Sequence, residues 1–199
     1  MQAITSNNLI AVEGQEEVCF IKAVYKHFNF ISDYHIAPVG GKEQFKTKLP
    51  ALRRASGFNG VQKLLIIRDA DDDSKSAFDS IVNLLKKENL PVPVAPNIFS
   101  QGQPEVCVFI MPDKSENGML EDLCIESVQE TPTMTCVDQF IDCVTQLENP
   151  PRNIAKAKAQ TYLAAMPKII NSVGLAAHKG YWNFDSIELN DLKSVLELL

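Results

Sequence analysis

The sequence lacks the segments that would place a protein in or across a membrane. No apolar run approaches the roughly 20 residues that are needed to cross a bilayer. The N-terminal segment MQAITSNNLI has no basic stretch followed by an apolar stretch and a small-residue cleavage site. We therefore expect a cytoplasmic protein that has no membrane partner.

Paired cysteines and metal-binding histidine motifs are also missing. The five cysteines are odd in number, are scattered along the chain and form no Cys-x-x-Cys pair, so neither a disulfide framework nor a structural zinc site is expected. The three histidines lack His-Glu-x-x-His spacing, and a lone histidine is more often structural or solvated than catalytic. There is no P-loop signature, so a nucleotide site of that type is not expected.

An excess of positive charge is absent as well. The net charge is −6, which argues against strong nonspecific binding to nucleic acids. The basic residues are nevertheless clustered: five lie in residues 42–54 beside one acid, and four lie in residues 152–168 with no acid. The simplest interpretation of both clusters is a solvated helix face. With 45% apolar and 22% charged residues, the chain has the composition of an ordinary globular protein.

Short apolar segments alternate with helical patterns in the first half of the chain. The predicted strands are 9–13, 35–39, 63–67 and 105–111. The predicted helices between them are 16–30, 42–55 and 76–88, and we expect Pro50 to break or kink the second. Strands that alternate with helices in this way predict a parallel sheet with right-handed crossovers.

The pattern after Pro112 changes to helices alone. The predicted helices in this half are 119–128, 136–147, 154–166 and 190–199. We therefore predict an α/β fold with an open parallel sheet of about four strands flanked by helices and a helical C-terminal extension. The predicted division is a core of residues 1–115 and an extension of residues 116–199, packed together as one compact unit.

Acidic residues follow three of the four predicted strands. Glu13 follows the first strand, Asp69 and Asp71 follow the third, and Asp113 follows the fourth. In an open parallel sheet the functional groups collect at the carboxyl ends of the strands. Such a concentration of carboxylates is costly unless a cation neutralises it, and oxygen ligands suit Mg²⁺ or Mn²⁺. The sequence thus predicts a divalent-metal site at this edge of the sheet.

The segment RDADDD contains the strongest candidates. In an extended chain residues i and i+2 point the same way, so Asp69 and Asp71 would share one ion if the strand geometry persists. Asp73 is a further candidate ligand, with an alternative role as the acid that caps the following helix.

Two more acids are candidates from their positions at helix starts. Glu17 lies four residues after Glu13, where it would face back toward it or act only as a helix-start acid. In GMLEDL, Glu121 or Asp122 would close the site, and capping of the helix explains the pair equally well. Gly40-Gly41-Lys42, before a helix, would hold a phosphate at the helix N-terminus or form a simple turn.

These motifs resemble those of the Toprim-like superfamily. EGQEE at 13–17 is similar to the first Toprim motif, and DAD at 69–71, directly after KLLIIR, is similar to the second. From about residue 8 to the end, the chain resembles a family of small stand-alone Toprim-like proteins of unknown function. The shared features are VEG, DADDD, IMPD followed by GMLEDL, and KAKAQTYLA. A more distant resemblance is to the OLD-family nucleases.

The resemblance implies a chemistry and a set of roles. Toprim domains bind Mg²⁺ and cut, join or extend nucleic-acid backbones. By analogy Glu13 would be a metal ligand or general acid/base, Asp69 and Asp71 would hold the ion, and Glu17 would serve a second ion. OLD-family nucleases place a lysine near the scissile phosphate, and Lys156 or Lys158 would have that role here.

Two functions from different classes remain open, and the sequence leaves open whether the chain is an enzyme. The first is a Mg²⁺-dependent phosphoryl-transfer protein, a nuclease acting on DNA or RNA, in which ions activate water and stabilise the leaving oxygen and a lysine offsets phosphate charge. The alternative is a noncatalytic metal-binding or protein-interaction module with a vestigial Toprim site. Net acidity and the lack of aromatic stacking platforms favour the alternative. A third function, that of a phosphoacceptor receiver domain, is disfavoured because the segment IMPDKSENG fits the pattern of such domains poorly.

Overall fold

The computed structural model describes residues 3–113 and 117–199, in which four strands form one parallel sheet. The strands are β1 Asn8–Val12, β2 His35–Pro38, β3 Lys63–Asp69 and β4 Glu105–Met111. Their order across the sheet is β2-β1-β3-β4, and each neighbouring pair is parallel. The predicted α/β fold with an open parallel sheet of about four strands is confirmed.

Helices cover both faces of this sheet. The helices that connect the strands are α1 Gln15–Phe28, α2 Phe45–Arg53 and α3 Ser74–Lys87. The C-terminal helices are α4 Leu120–Ser127, α5 Pro132–Thr145, α6 Ile154–Ala164, α7 Val173–His178 and α8 Asn190–Glu197. No helix in the described ranges is long and apolar enough to cross a membrane.

The alternation of side chains along the strands creates two separate cores. On β3, Leu65 and Ile67 pack on one face with α1 and the C-terminal helices. Leu64 and Ile66 pack on the other face with α2 and α3. All four side chains are fully buried, as expected for a central parallel strand that is covered on both sides.

The crossover connections change direction between β1 and β3. The chain leaves β1 through α1, on one face, to reach the edge strand β2, and it leaves β3 through α3, on the other face, to reach the opposite edge strand β4. In open α/β sheets such a switch point forms a crevice at the carboxyl ends of the two strands. The switch point here lies between the residues that follow β1 and those that end β3, and we refer to this region as the crevice.

Several helix boundaries differ from those predicted. Residues 42–44 form a 3₁₀ turn, and α2 then runs as one helix that contains Pro50, so of the predicted break or kink at Pro50 the break is wrong. Helix α5 begins at Pro132 rather than Cys136, because proline is favoured in the first turn, where its missing N–H costs no hydrogen bond. The predicted domain division after residue 115 falls in residues 114–116, outside the described residues.

Helix α7 was not predicted because it is short and contains Gly174. Its N-terminus is bound by α1: Glu16 Oε2 accepts hydrogen bonds from Gly174 N at 2.6 Å and from Ser172 Oγ at 2.8 Å. A side chain at position 174 has no room, because its Cβ would lie 2.7 Å from Cys19 Cβ and still closer to the Glu16 carbonyl oxygen. Glycine at this position therefore permits the close packing of α7 on α1.

We expect Gly174→Ala to lower the free energy of unfolding by about 1–3 kcal/mol, the usual cost of overpacking a closely packed contact. The reason is that the new methyl group would meet a backbone carbonyl, which cannot rotate away. Urea unfolding followed by circular dichroism measures the change. Gly60→Ala is the matched control, because the nearest atom to its Cβ would be Asn7 Oδ1 at 4.0 Å. Equal stability of both variants would contradict the packing argument.

Candidate metal centre

Glu13 directly follows β1 and lies at one side of the crevice. Its carbonyl oxygen accepts hydrogen bonds from Gly40 N at 2.7 Å and Gly41 N at 2.9 Å, which ties the loop after β2 to the end of β1. Its Oε1 lies 3.7 Å from Nε of Arg68. Both atoms are buried, and neither has a hydrogen-bond partner in the described part of the chain. Arg68 therefore balances the charge of Glu13 without a hydrogen bond between the Nε and Oε1 atoms.

Asp69 ends β3 and lies at the other side of the crevice. Its Oδ1 accepts a hydrogen bond from Leu120 N at 3.1 Å, which brings the N-terminus of α4 to the end of β3. The first turn of α4 contains Glu121 and Asp122. Asp122 Oδ2 accepts a hydrogen bond from Met119 N at 2.9 Å, so Asp122 caps the helix. Glu121 lies close enough to Asp69 for its charge to raise the pKa of Asp69.

Asp71 reaches the same region by a different geometry from the one predicted. The strand ends at Asp69, and Asp71 has a left-handed backbone with φ of 55°, so the argument from i and i+2 side chains of one strand is wrong here. Its N–H and C=O both form hydrogen bonds of 2.8 Å with Gly118. Its Oδ2 lies 3.1 Å from Nζ of Lys42, which makes Lys42 the cation next to this carboxylate.

Glu17 is a buried acid in the first turn of α1. Its Oε2 accepts a hydrogen bond from Gly14 N at 2.8 Å, which is the contact of a helix-start acid. The same carboxylate contributes to the charge felt by Glu13 and Asp69, because it raises the pKa of both. The two roles that the sequence left open for Glu17 are therefore compatible.

The electrostatics identify Asp69 as the centre of the group. Burial and, to a smaller extent, the charges of four nearby acids together raise its pKa from 3.8 to about 9; these acids are Glu13, Glu17, Glu121 and Asp71. The pKa of Glu13 is raised to about 7 by burial and by the charge of Asp71, against the opposing charge of Arg68. Carboxylates that are buried together in this way favour either protons or a cation.

Asp73 and Lys158 form their contacts with residues outside the carboxylate group around Asp69. Asp73 is the N-cap of α3, where its carboxylate accepts hydrogen bonds from Ser76 N at 3.0 Å and Ser76 Oγ at 2.8 Å. These hydrogen bonds lower its pKa, so its contacts are those of the capping alternative. Lys158 pairs with Asp138 at 2.8 Å, between α6 and α5.

Lys156 is the one of the two predicted lysines whose charge reaches a proposed ligand. It is exposed on the first turn of α6, and its positive charge lowers the pKa of Glu121, against the larger effect of burial. Lys158 acts instead on Asp122, where its charge opposes the rise in pKa that burial causes. The two lysines are therefore not equivalent, although they are only two residues apart.

The chemistry of this group fits a hard divalent cation, although the ligands are not arranged around one position. Within residues 3–113 and 117–199, no three His, Cys, Asp or Glu side chains could hold an ion as they stand. Instead, Glu13 faces Arg68, Asp71 faces Lys42, and Asp69 accepts an N–H hydrogen bond from α4. The donors are carboxylate oxygens, the preferred ligands of Mg²⁺. Some rearrangement of side chains within the group would be needed to bring these oxygens around one ion.

Sequence reasoning missed Arg68 and the contact of Lys42. A signal for Arg68 existed in the alternation of side chains along β3, which places Arg68 on the same face of the sheet as Leu64 and Ile66. This is the face opposite to that of Asp69. Lys42 was considered as a phosphate-binding residue in its Gly-Gly-Lys turn, and nothing local connects it to Asp71.

The architecture is that of a doubly wound parallel α/β protein with acids at its switch point. The chain belongs to the family described as "Protein of unknown function (DUF3226)", which matches residues 7–199. No curated protein sequence matches it. Its fold is similar to that of the C-terminal region of the Burkholderia pseudomallei OLD protein, with a TM-score of 0.51, 11% identity and 97% of each chain covered. At this identity the likeness shows the fold alone.

We expect the metal-free protein to lose stability as the pH rises from about 4 to about 9, the interval between the ordinary and the raised pKa of Asp69. In this interval the folded state retains a proton that the unfolded state releases, so the free energy of unfolding falls with pH. Asp69→Asn should have a shallower dependence, because the amide oxygen still accepts the Leu120 N–H and carries no charge. Melting temperatures in chelator across this range measure the effect.

The control for this experiment is Asp142→Asn, an exposed position on α5. Its melting temperature should vary with pH as that of the wild type does. Parallel curves for all three proteins would mean that Asp69 is not protonated more readily in the folded state, and would contradict the electrostatic description of the group.

Proposed function

We propose that this protein is a Mg²⁺-dependent phosphoryl-transfer enzyme, a nuclease that acts on nucleic-acid phosphodiesters through a Toprim-like carboxylate site. The observation that carries the proposal is the meeting of Glu13 and Asp69 at the switch point of the sheet, with Asp71, Glu17 and Glu121 around them. The fold likeness to the C-terminal region of an OLD protein supports it, as does the order of the EGQEE and DAD motifs.

In this proposal Glu13, Asp69 and Asp71 hold Mg²⁺ or Mn²⁺, and Glu17 and Glu121 supply further negative charge or hold a second ion. A bound ion would supply an activated water and would neutralise charge on the phosphoryl oxygens. Glu13 is also the candidate for general acid or base catalysis, because its carboxylate lies in the crevice beside Arg68. The buried guanidinium of Arg68 would keep the Glu13 carboxylate in this position.

Basic residues lie on both sides of the carboxylates. Lys42 lies beside Asp71 at the end of the loop after β2, and Lys156 lies near Glu121 at the start of α6. A phosphate backbone that crosses the crevice between them would meet positive charge on both sides, which a chain of net charge −6 needs in order to bind a polyanion. DNA or RNA is therefore the proposed partner.

The cysteines are all free thiols, and a reducing compartment such as the cytoplasm is the proposed location.

A second candidate function is a noncatalytic protein-interaction module. It is favoured by a stripe of exposed residues at helical spacing along α5 and just beyond it: Cys136, Phe140, Cys143 and Leu147. The side chains of Phe140 and Leu147 are 51% and 58% exposed. A helix face of this kind suits a helix-in-groove partner. In that case the carboxylates would bind metal or protons without cleaving a substrate.

Asp69→Asn and Glu13→Gln should each reduce metal-dependent cleavage of DNA or RNA by at least about 100-fold, the scale expected when a positioned acid–base or ligand group is lost. Both substitutions keep the shape of the side chain, so circular dichroism should be unchanged. Oligonucleotide cleavage in Mg²⁺ or Mn²⁺, combined with metal titration by calorimetry, measures the effect.

The matched control is Asp73→Asn, an acid in the same RDADDD segment that caps α3. It should retain both activity and stability, because asparagine caps a helix about as well as aspartate. Full activity of the Asp69 and Glu13 variants would overturn the proposal. Metal binding by the wild type without any cleavage would favour the interaction module instead.

Of the two lysines, Lys156 should matter more for cleavage. We expect Lys156→Ala to lower the rate by about 10- to 100-fold, because it removes the charge that would offset a phosphate near the carboxylates. Lys158→Ala should affect mainly stability, because its partner is Asp138 on α5. Initial rates and melting temperatures of both variants measure this difference. Equal loss of rate in the two variants would contradict the assignment.

A further inference from the structure

We propose that Lys42 is a built-in competitor of the divalent cation: its ammonium group occupies the cation position at Asp71, and metal entry displaces it. This inference rests on the proposed metal site and adds a regulatory residue to it. The contact that carries it is the 3.1 Å separation of Lys42 Nζ and Asp71 Oδ2.

The anion of this pair is held in place. Asp71 forms hydrogen bonds of 2.8 Å to Gly118 through both its N–H and its C=O. Gly118 has φ of 129°, and a Cβ there would lie 2.6 Å from Cδ of Pro112, so this bridge depends on glycine. The Asp71 backbone therefore presents its carboxylate to the crevice whether or not a lysine is beside it.

The cation of the pair is on an exposed side chain that solvent can accommodate away from Asp71. The Lys42 side chain is 44% exposed and follows Gly40 and Gly41, whose φ angles of 92° and 106° are open to glycine but strained for other residues. Around Gly41 there is no atom within 4 Å of the position of a Cβ. A half-exposed ion pair contributes only about 0–1 kcal/mol, so the displacement of Lys42 costs little.

Arg68, the basic neighbour of Glu13, is held in place more firmly than Lys42 is. Its side chain is only 12% exposed, and its Nη1 donates a hydrogen bond to the Ala77 carbonyl oxygen of α3 at 3.4 Å. The guanidinium is thus held between the sheet and α3. Of these two basic neighbours of the carboxylate group, Arg68 is fixed and Lys42 is exchangeable.

This arrangement couples the metal to an anionic substrate. Without metal, the Lys42 ammonium is engaged by Asp71, which reduces its availability to a phosphate. When a divalent ion takes Asp71, the ammonium is released at the rim of the crevice, where a nucleic-acid phosphate would be bound. By linkage, a phosphate that engages Lys42 would in turn raise the affinity for the metal.

The test is Mg²⁺ titration by calorimetry of the wild type and three variants. Lys42→Met should bind Mg²⁺ about three- to fivefold more tightly, because the ion no longer displaces a competing charge. Lys42→Arg should match the wild type, because it restores the cation. Lys46→Met is the control for net charge, since Lys46 pairs with Glu43 at 3.2 Å, and its affinity should stay within about twofold of wild type.

Thermal melting supplies a second readout that does not depend on cleavage. The rise in melting temperature on adding Mg²⁺ should be larger for Lys42→Met than for the wild type, because the metal-free variant leaves Asp71 without its cation. Equal or weaker Mg²⁺ binding by Lys42→Met would overturn the inference and leave the metal site standing. Absence of binding by all four proteins would instead overturn the metal site and the proposed function with it.

Discussion

The repulsion among buried carboxylates at the carboxyl ends of β1 and β3 is the constraint on which the rest of this site depends. Asp69 experiences the charges of four other acids in a largely buried position, and such a group is stable only with protons or cations beside it. Arg68, Lys42 and the N-terminus of α4 supply positive charge or N–H donors at three points. Their placement follows from the same sheet topology that brings the acids together.

The topology also explains why chemistry is expected at this place rather than elsewhere on the molecule. The crossovers diverge between β1 and β3, and in open α/β sheets ligands bind at the carboxyl ends of the strands beside such a switch point. The C-terminal helices then close one side of the crevice through α4, which contacts Asp69. Membership of the DUF3226 family and a fold shared with an OLD protein region do not by themselves establish catalysis, which depends on the residues at the site.

Much of the fold could be predicted from the sequence because its signals are local. The apolar run KLLII and the alternation of strands with helical patterns are sufficient for a parallel sheet. The prediction failed where tertiary contacts override local preference. Pro50 lies within α2, and α7 forms around Gly174 because the Glu16 carboxylate on α1 accepts hydrogen bonds from Gly174 N and Ser172 Oγ.

For the candidate site, the sequence by itself determined that Glu13 and Asp69 lie at one edge of the sheet, because residues at the carboxyl ends of neighbouring parallel strands must share that edge. It did not determine how each acid is oriented or neutralised. The left-handed turn at Asp71, its bridge to Gly118 and the contacts with Lys42 and Leu120 join segments that are far apart in the chain. Only the tertiary structure decided these contacts, because they arise from packing between elements and not from any local pattern.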